Sequence, residues 1–207
     1  MNTHRGFTLV ELLLVIAIIG IMTAYTVASL TRTSRGAELE EVTNDVVAVL
    51  RAARQNAVTV LEHPERPGKY PSYGVQFKTS SDEVLMYADC QVDTGSGQIE
   101  LVDDIFYFQP SECSGKGEIS TTQLAHGARI TAIEADSADN PGTAVALEEF
   151  YVLYVRPEPT IWFAGKPASG ARASLDIGTV RITIEDAAGE ETRNIHLNSA
   201  GLMYVES

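Results

Sequence analysis

A long apolar segment lies close to the start of the chain, where residues 7–24 read FTLVELLLVIAIIGIMTA. Its eighteen residues carry a single charge, the carboxylate of Glu11. As a helix the segment is about 27 Å long, which is close to the ~30 Å hydrocarbon core of a bilayer. The segment therefore predicts either a membrane-spanning helix or a signal peptide.

Glu11 helps to separate these two alternatives. A signal peptide needs a basic start and a small-residue cleavage site, which Arg5 and residues 26–28 supply. However, a carboxylate inside an apolar helix costs about 2.5–3.5 kcal/mol on insertion scales, and a disposable segment has no reason to carry that cost. The carboxylate is instead expected to be functional and to have a partner.

Residues 5–21, RGFTLVELLLVIAIIGI, resemble the class III signal of type IV pilins and type II secretion pseudopilins. The resemblance implies that a prepilin peptidase cuts between Gly6 and Phe7 and N-methylates the new terminal Phe7. It also implies that Glu11 pairs with the freed α-amino group of Phe7 in a neighbouring subunit. The implied partners are other pilin or pseudopilin subunits and an inner-membrane assembly platform.

Orientation in the membrane rests on this resemblance, which places the head outside the cytoplasm. Arg5 precedes the apolar segment, but Arg32 and Arg35 follow it, so the distribution of basic residues gives no support. The mature protein is expected in the inner membrane as a single-pass protein, and then in a cell-surface or periplasmic filament.

A second, amphipathic helical segment is predicted beyond the membrane, because no proline occurs before Pro64. Its apolar residues follow three-four spacing, which predicts one buried stripe: Leu39, Val42, Val46, Val49 and Ala53, with Leu50, Ala57, Val60 and Leu61 nearby. The expected organisation is a leader at 1–6, a transmembrane helix at 7–25, an amphipathic helix at 26–62 and a β-rich head at 63–207. Gly36 is the expected position of a break.

The head contains short β-like runs separated by turn residues. The predicted strands are 73–77, 83–88, 105–108, 128–133, 149–155, 160–163, 179–185, 192–197 and 202–205, of which the last three form a meander. A long helix followed by many short strands predicts an α+β fold, in which an antiparallel sheet packs on the helix.

A weaker resemblance covers parts of the head. Residues 50–58, 73–77 with 87–89, and 181–184 with 197–202 resemble the helix end, first hairpin and last strands of the GspH/FimT-type minor pseudopilins. Some proteins of the FimT kind bind DNA through basic surfaces. Here Asp and Glu number 28 against 15 Lys and Arg, which repels phosphate backbones, so no nucleic-acid partner is expected.

Cys90 and Cys113 are the only cysteines and are predicted to form a disulfide. Outside the cytoplasm oxidation is permitted, and both lie in stretches rich in Gly, Ser and Asp, where a cross-link substitutes for an apolar core. Two free thiols are the alternative. Neither Cys-x-x-Cys nor paired histidines are present, so no zinc site is expected.

Catalytic and cofactor-binding patterns are absent from the sequence. It contains no G-x-S-x-G, P-loop, H-E-x-x-H or G-x-G-x-x-G. The acidic stretches at 134–140 and 103–104 lack the EF-hand pattern, so no metal and no cofactor is expected. The sequence thus favours a non-enzymatic filament subunit. The alternative is a membrane-anchored or secreted binding domain or enzyme without a recognisable catalytic motif.

Overall fold

The structure of the protein is a computed structural model, which describes residues 9–62, 64–65, 68, 71–89, 117–137, 144–155, 160–168, 170, 173–174 and 177–206. Two compact units are distinguished along the chain, residues 1–37 and 38–207. Each unit is described by itself below.

One helix, α1, spans Leu9–Val58. It is continuous through Gly20 and Gly36, so the expected break at Gly36 does not occur. The helix ends at Val58, four residues before the predicted end of the amphipathic helix at position 62. Val60 adopts a left-handed conformation, with φ of 51°, and the Leu61 amide reaches back to the Asn56 carbonyl at 3.0 Å. This left-handed residue ends the helix because helical dihedrals cannot continue through it.

Ten strands follow among the described residues. They are β1 (Ser72–Lys78), β2 (Glu83–Asp89), β3 (Glu118–Gln123), β4 (Arg129–Ser137), β5 (Ala144–Val155), β6 (Thr160–Pro167), β7 (Ala173–Ser174), β8 (Ile177–Glu185), β9 (Thr192–Asn198) and β10 (Met203–Glu206). The α+β class predicted from sequence is confirmed. The predicted strand at 105–108 lies outside the described residues, and neither β3 nor the two-residue β7 was predicted.

The strands form one sheet with the order β10-β9-β8-β4-β5-β1-β2-β3, and β6 pairs with both β5 and β7. All pairings between the described strands are antiparallel. Consecutive strands β8, β9 and β10 lie side by side, which confirms the predicted meander. At its end Gly201, with φ of 79°, makes the turn from β9 into β10.

The main core lies between the sheet and residues 39–57 of α1. The helix buries Leu39, Val42, Val46, Val47, Leu50, Ala53 and Ala57, while Val49 is partly buried against the same core. The predicted stripe is therefore correct over this range. Val60 and Leu61 are instead 37% and 47% exposed, because the helix has already ended and they no longer continue its apolar face.

The centre of the sheet is buried on both faces. On β5, Phe150, Val152 and Tyr154 face the main core, whereas Tyr151, Leu153 and Val155 belong to a second apolar cluster with Tyr87 and Ala164. Residues 150–155 consequently read as a continuous apolar run rather than an alternating one, as expected for a strand that is covered on both faces.

Candidate assembly helix

The first part of α1 is an apolar surface without a cover of its own. Leu9–Val27 has a mean hydropathy of 2.3, is long enough to cross a membrane, and has none of its residues buried. Side chains such as Leu13, Ile16 and Ile19 are more than half exposed. A contiguous apolar surface of this size is typical of contact with lipid or with other apolar helices.

Glu11 lies in the first turn of the helix and is exposed. It is the only charged residue between positions 9 and 31 of the sequence. The N-terminal turn is the most favourable place for an acid on a helix, because the helix dipole attracts negative charge there. In an apolar environment that attraction offsets only part of the cost of the charge.

Two hydroxyl groups of the apolar segment, those of Thr23 and Thr26, are satisfied within the helix. Thr23 donates to the Ile19 carbonyl at 2.5 Å, and Thr26 donates to the Met22 carbonyl at 2.9 Å. A hydroxyl that donates a hydrogen bond to a carbonyl of the preceding turn does not need water as a partner, so both threonines are compatible with a hydrocarbon environment.

One further residue at the end of the segment was not singled out from the sequence. Tyr25 is 79% exposed and lies two residues before the end of the apolar span. Tyrosine is enriched where a helix leaves the hydrocarbon and enters the headgroup layer. The sequence signal was a single aromatic residue at the edge of an aliphatic run.

The residues predicted to act in processing and cross-linking cannot be placed around Glu11. Gly6, Phe7, Cys90 and Cys113 all lie outside the described residues. Glu11 is therefore the one predicted site residue whose position is described, and the arrangement of the other four remains a prediction.

Residues 1–27 match a protein-family model, the prokaryotic N-terminal methylation motif. The chain carries a prepilin-type signal. The match ends at Val27, which is also where the apolar span of α1 ends. This signal and the apolar helix fit a membrane-anchored, single-pass protein. No curated protein and no solved structure matches the chain.

The described part of the head holds several surface ion pairs. Lys166 Nζ lies 2.6 Å from Glu148, and Arg181 Nε donates to Glu134 at 3.0 Å. The hydrogen bond that Arg181 donates to Glu134, together with the charge of that carboxylate, raises the pKa of Arg181. Within the described ranges, no group of three or more acidic, histidine or cysteine side chains is arranged to hold a metal.

Proposed function

We propose that this chain is a structural subunit that is cleaved after Gly6, N-methylated at Phe7 and assembled through its N-terminal helix into a filament. The filament is a type IV pilus or a type II secretion pseudopilus. One observation carries the proposal: the methylation motif at 1–27 contains the apolar segment of α1, Leu9–Val27, which is exposed along its whole length.

The chemistry of Glu11 explains why cleavage precedes assembly. Cutting after Gly6 creates an α-amino group on Phe7, four residues before Glu11. Each processed chain then carries one amine and one carboxylate, offset along the chain. A neighbouring chain, staggered by about one helical turn, pairs its amine with this carboxylate, which lowers the cost of placing the carboxylate in lipid.

The proposed organisation has four parts. Residues 1–6 are the leader, 7–25 cross the membrane, 26–62 form the stalk and 63–207 form the head. The partners are the prepilin peptidase, other pilin or pseudopilin subunits and the inner-membrane assembly platform. The head lies outside the cytoplasm before and after assembly, and the work of the subunit is mechanical rather than catalytic.

Within this function we favour a minor subunit of the GspH/FimT type. Support comes from the sequence patterns quoted above, which lie on the end of α1, on the β1–β2 hairpin and on β8 and β9. We do not propose DNA binding for this chain, because Arg181 is paired with Glu134 and Arg193 lines a groove together with the acidic residue Glu40.

The mass of the mature N-terminus tests the processing step. The expected form of the exported protein begins at N-methylated Phe7. A chain that begins at Met1 would instead indicate an uncleaved membrane anchor, and one that begins at Ser29 would indicate a secreted domain without the apolar helix. Either result would contradict the filament proposal.

The Glu11→Gln variant tests the assembly step, because it removes the charge while keeping the size of the side chain. We expect normal cleavage and methylation but a severe loss of filaments in sheared fractions. Glu190→Gln, which removes a carboxylate from a turn of the head, is the matched control and should assemble normally. Normal filaments from Glu11→Gln would rule out the proposed pairing.

A further inference from the structure

A polar groove lies on the face of the sheet opposite the main core, across the adjacent strands β1, β2 and β3. Val75 and Phe77 of β1 point into the main core, so Gln76 and Lys78, which alternate with them, lie on the other face. The groove has a volume of about 500 Å³, which is within the range of small-molecule sites. It is built without any residue of the apolar segment of α1.

The side chain of Gln76 is only 4% exposed and lines this groove. Its neighbours fix the orientation of its amide. The Tyr151 hydroxyl donates to the Glu149 carboxylate, so the Tyr151 oxygen is left to accept a hydrogen bond from Gln76 Nε2, at 2.7 Å. Gln76 Oε1, at the other side of the amide, is directed away from Tyr151, and no described residue donates to it. The groove therefore contains a buried, oriented acceptor that has no protein donor.

Strand register sets an apolar side chain between two polar ones in the groove. Gln76 is the partner of Leu85 on β2, and Leu85 is the partner of Thr121 on β3. Leu85 is half-buried and Thr121 is exposed. Because β1 and β3 are two strand spacings apart, the two polar residues are separated by about 10 Å at the backbone. A sugar ring offers the matching arrangement, since it has an apolar C–H face with hydroxyl groups around its rim.

The charged groups of the groove include both donors and acceptors. Lys78 is exposed, and its Nζ pairs with no described residue. Glu83 accepts from Gln123 at 2.7 Å and Glu118 accepts from Thr121 at 2.8 Å, and each carboxylate keeps capacity for further hydrogen bonds. A ligand that satisfies all of these groups must both donate and accept, as a hydroxyl group does. A simple cation offers no acceptor to the lysine and is repelled by it.

We propose that this groove of the head binds a neutral saccharide. One ring lies over Leu85, with its hydroxyl groups donating to Gln76 Oε1 and to the two carboxylates, while Lys78 donates to an oxygen of the sugar. An anionic sugar fits less well, because the groove holds two carboxylates against one amine and the chain carries a net charge of −13. The inference goes beyond the filament role and does not depend on processing at Phe7.

Saturation-transfer NMR tests the ligand class. The full chain is kept in a polyoxyethylene detergent, which has no sugar headgroup, and is titrated separately with maltose, cellobiose, lactose and diacetylchitobiose. Signal transfer to at least one of these neutral disaccharides is expected. Methylammonium is the comparison for a cation site and should bind more weakly than that disaccharide. Absence of binding by all four disaccharides, or tighter binding of methylammonium, would overturn the proposal.

Two substitutions at exposed positions test the location of the site. Lys78→Met removes the charged donor and should weaken binding of the same disaccharide about tenfold, and Thr121→Val removes a hydroxyl and should weaken it roughly three- to tenfold. Thr192→Val, at an exposed position on β9, is the matched control and should bind as the wild type does. Unchanged melting temperatures verify that the variants are folded. Wild-type affinity in both groove variants would place the bound sugar elsewhere and overturn the proposal.

Discussion

The aromatic ring of Tyr87 lies directly against the backbone of Gly74, its partner on the neighbouring strand β1. A Cβ atom at position 74 would lie 2.7 Å from Cε1 of that ring, closer than real Cβ contacts occur. The same ring meets Tyr151 edge-on, with centroids 6.4 Å apart. The missing side chain of Gly74 thus makes room for the aromatic residues of the second apolar cluster.

Gly74→Ala should destabilise the head by about 1–3 kcal/mol, because the buried ring of Tyr87 must shift to admit the added methyl group. Thermal unfolding of the full chain in detergent measures the effect. Gly170→Ala is the control, since a Cβ there would lie an ordinary 3.7 Å from Pro167. Equal melting temperatures for the two variants would show that Tyr87 does not need the space.

Leu50→Ala and Leu61→Ala distinguish the observed helix from the longer stripe predicted from sequence. Leu50 is buried in the main core, whereas Leu61 is 47% exposed beyond the end of α1. We therefore expect a loss of about 2–5 kcal/mol for the first variant and less than about 0.5 kcal/mol for the second. Denaturant unfolding gives both values. A comparable loss at both positions would mean that the apolar stripe continues through Leu61.

The end of this helix shows where sequence periodicity stops being informative. Apolar residues three and four positions apart correctly predicted that Leu39, Val42, Val46 and Leu50 are buried, because burial of one helix face imposes that period. The same spacing also placed Leu61 near the buried stripe, which the structure does not bear out. What ends the helix is the left-handed conformation of Val60, a residue type that rarely adopts it, so its sequence gives no warning.

In the sheet, too, some strands were predictable from the sequence and others were not. Strands with alternating or continuous apolar residues, such as β8 and β5, were predicted. β3 was missed because Ile119 is the one apolar residue in EISTTQ and the strand lies at the edge of the sheet. The proximity of Gly74 and Tyr87 depends on the register between β1 and β2, which the predicted strand ranges alone did not specify. For the candidate site, Glu11 was recognisable because a charge in an apolar helix is rare.

The buried hydroxyl of Tyr154 should lower the free energy of unfolding in alkaline solution. Burial raises the pKa of its hydroxyl to about 12, with the charge of Arg54 acting weakly in the opposite direction. Between about pH 10 and 12 the unfolded chain loses this proton while the folded chain keeps it, so stability falls as pH rises. The loss amounts to about 2–3 kcal/mol at most.

The Tyr154→Phe variant isolates that loss. Its stability should decline less steeply than that of the wild type between pH 10 and 12, as measured by denaturant unfolding at a series of pH values. Tyr204→Phe is the control, because Tyr204 is 58% exposed and its removal should leave the slope unchanged. Identical slopes for all three proteins would show that Tyr154 ionises in the folded chain as it does in water.

Cys90 and Cys113 are predicted to be bridged in the exported protein. Closing that loop would stabilise the chain by about 3.5 kcal/mol on the chain-entropy model. Alkylation of the folded, exported protein without reductant should label neither residue, and alkylation after reduction should label both. Labelling of both residues before reduction would establish two free thiols instead.

Gly6→Ala should retain the leader, because the peptidase site is expected to accept only a residue without a side chain at the cleavage position. The mass of the exported or membrane-bound chain gives the result directly, and Thr3→Ala, a change elsewhere in the leader, should be processed normally. A mature chain beginning at Phe7 in Gly6→Ala would refute this requirement.

The Gly6→Ala variant also complements Glu11→Gln. Without cleavage the nitrogen of Phe7 stays in a peptide bond, so Glu11 loses its proposed partner in the neighbouring chain although its own charge is intact. Both variants should therefore fail to assemble, and only Glu11→Gln should carry a methylated N-terminus.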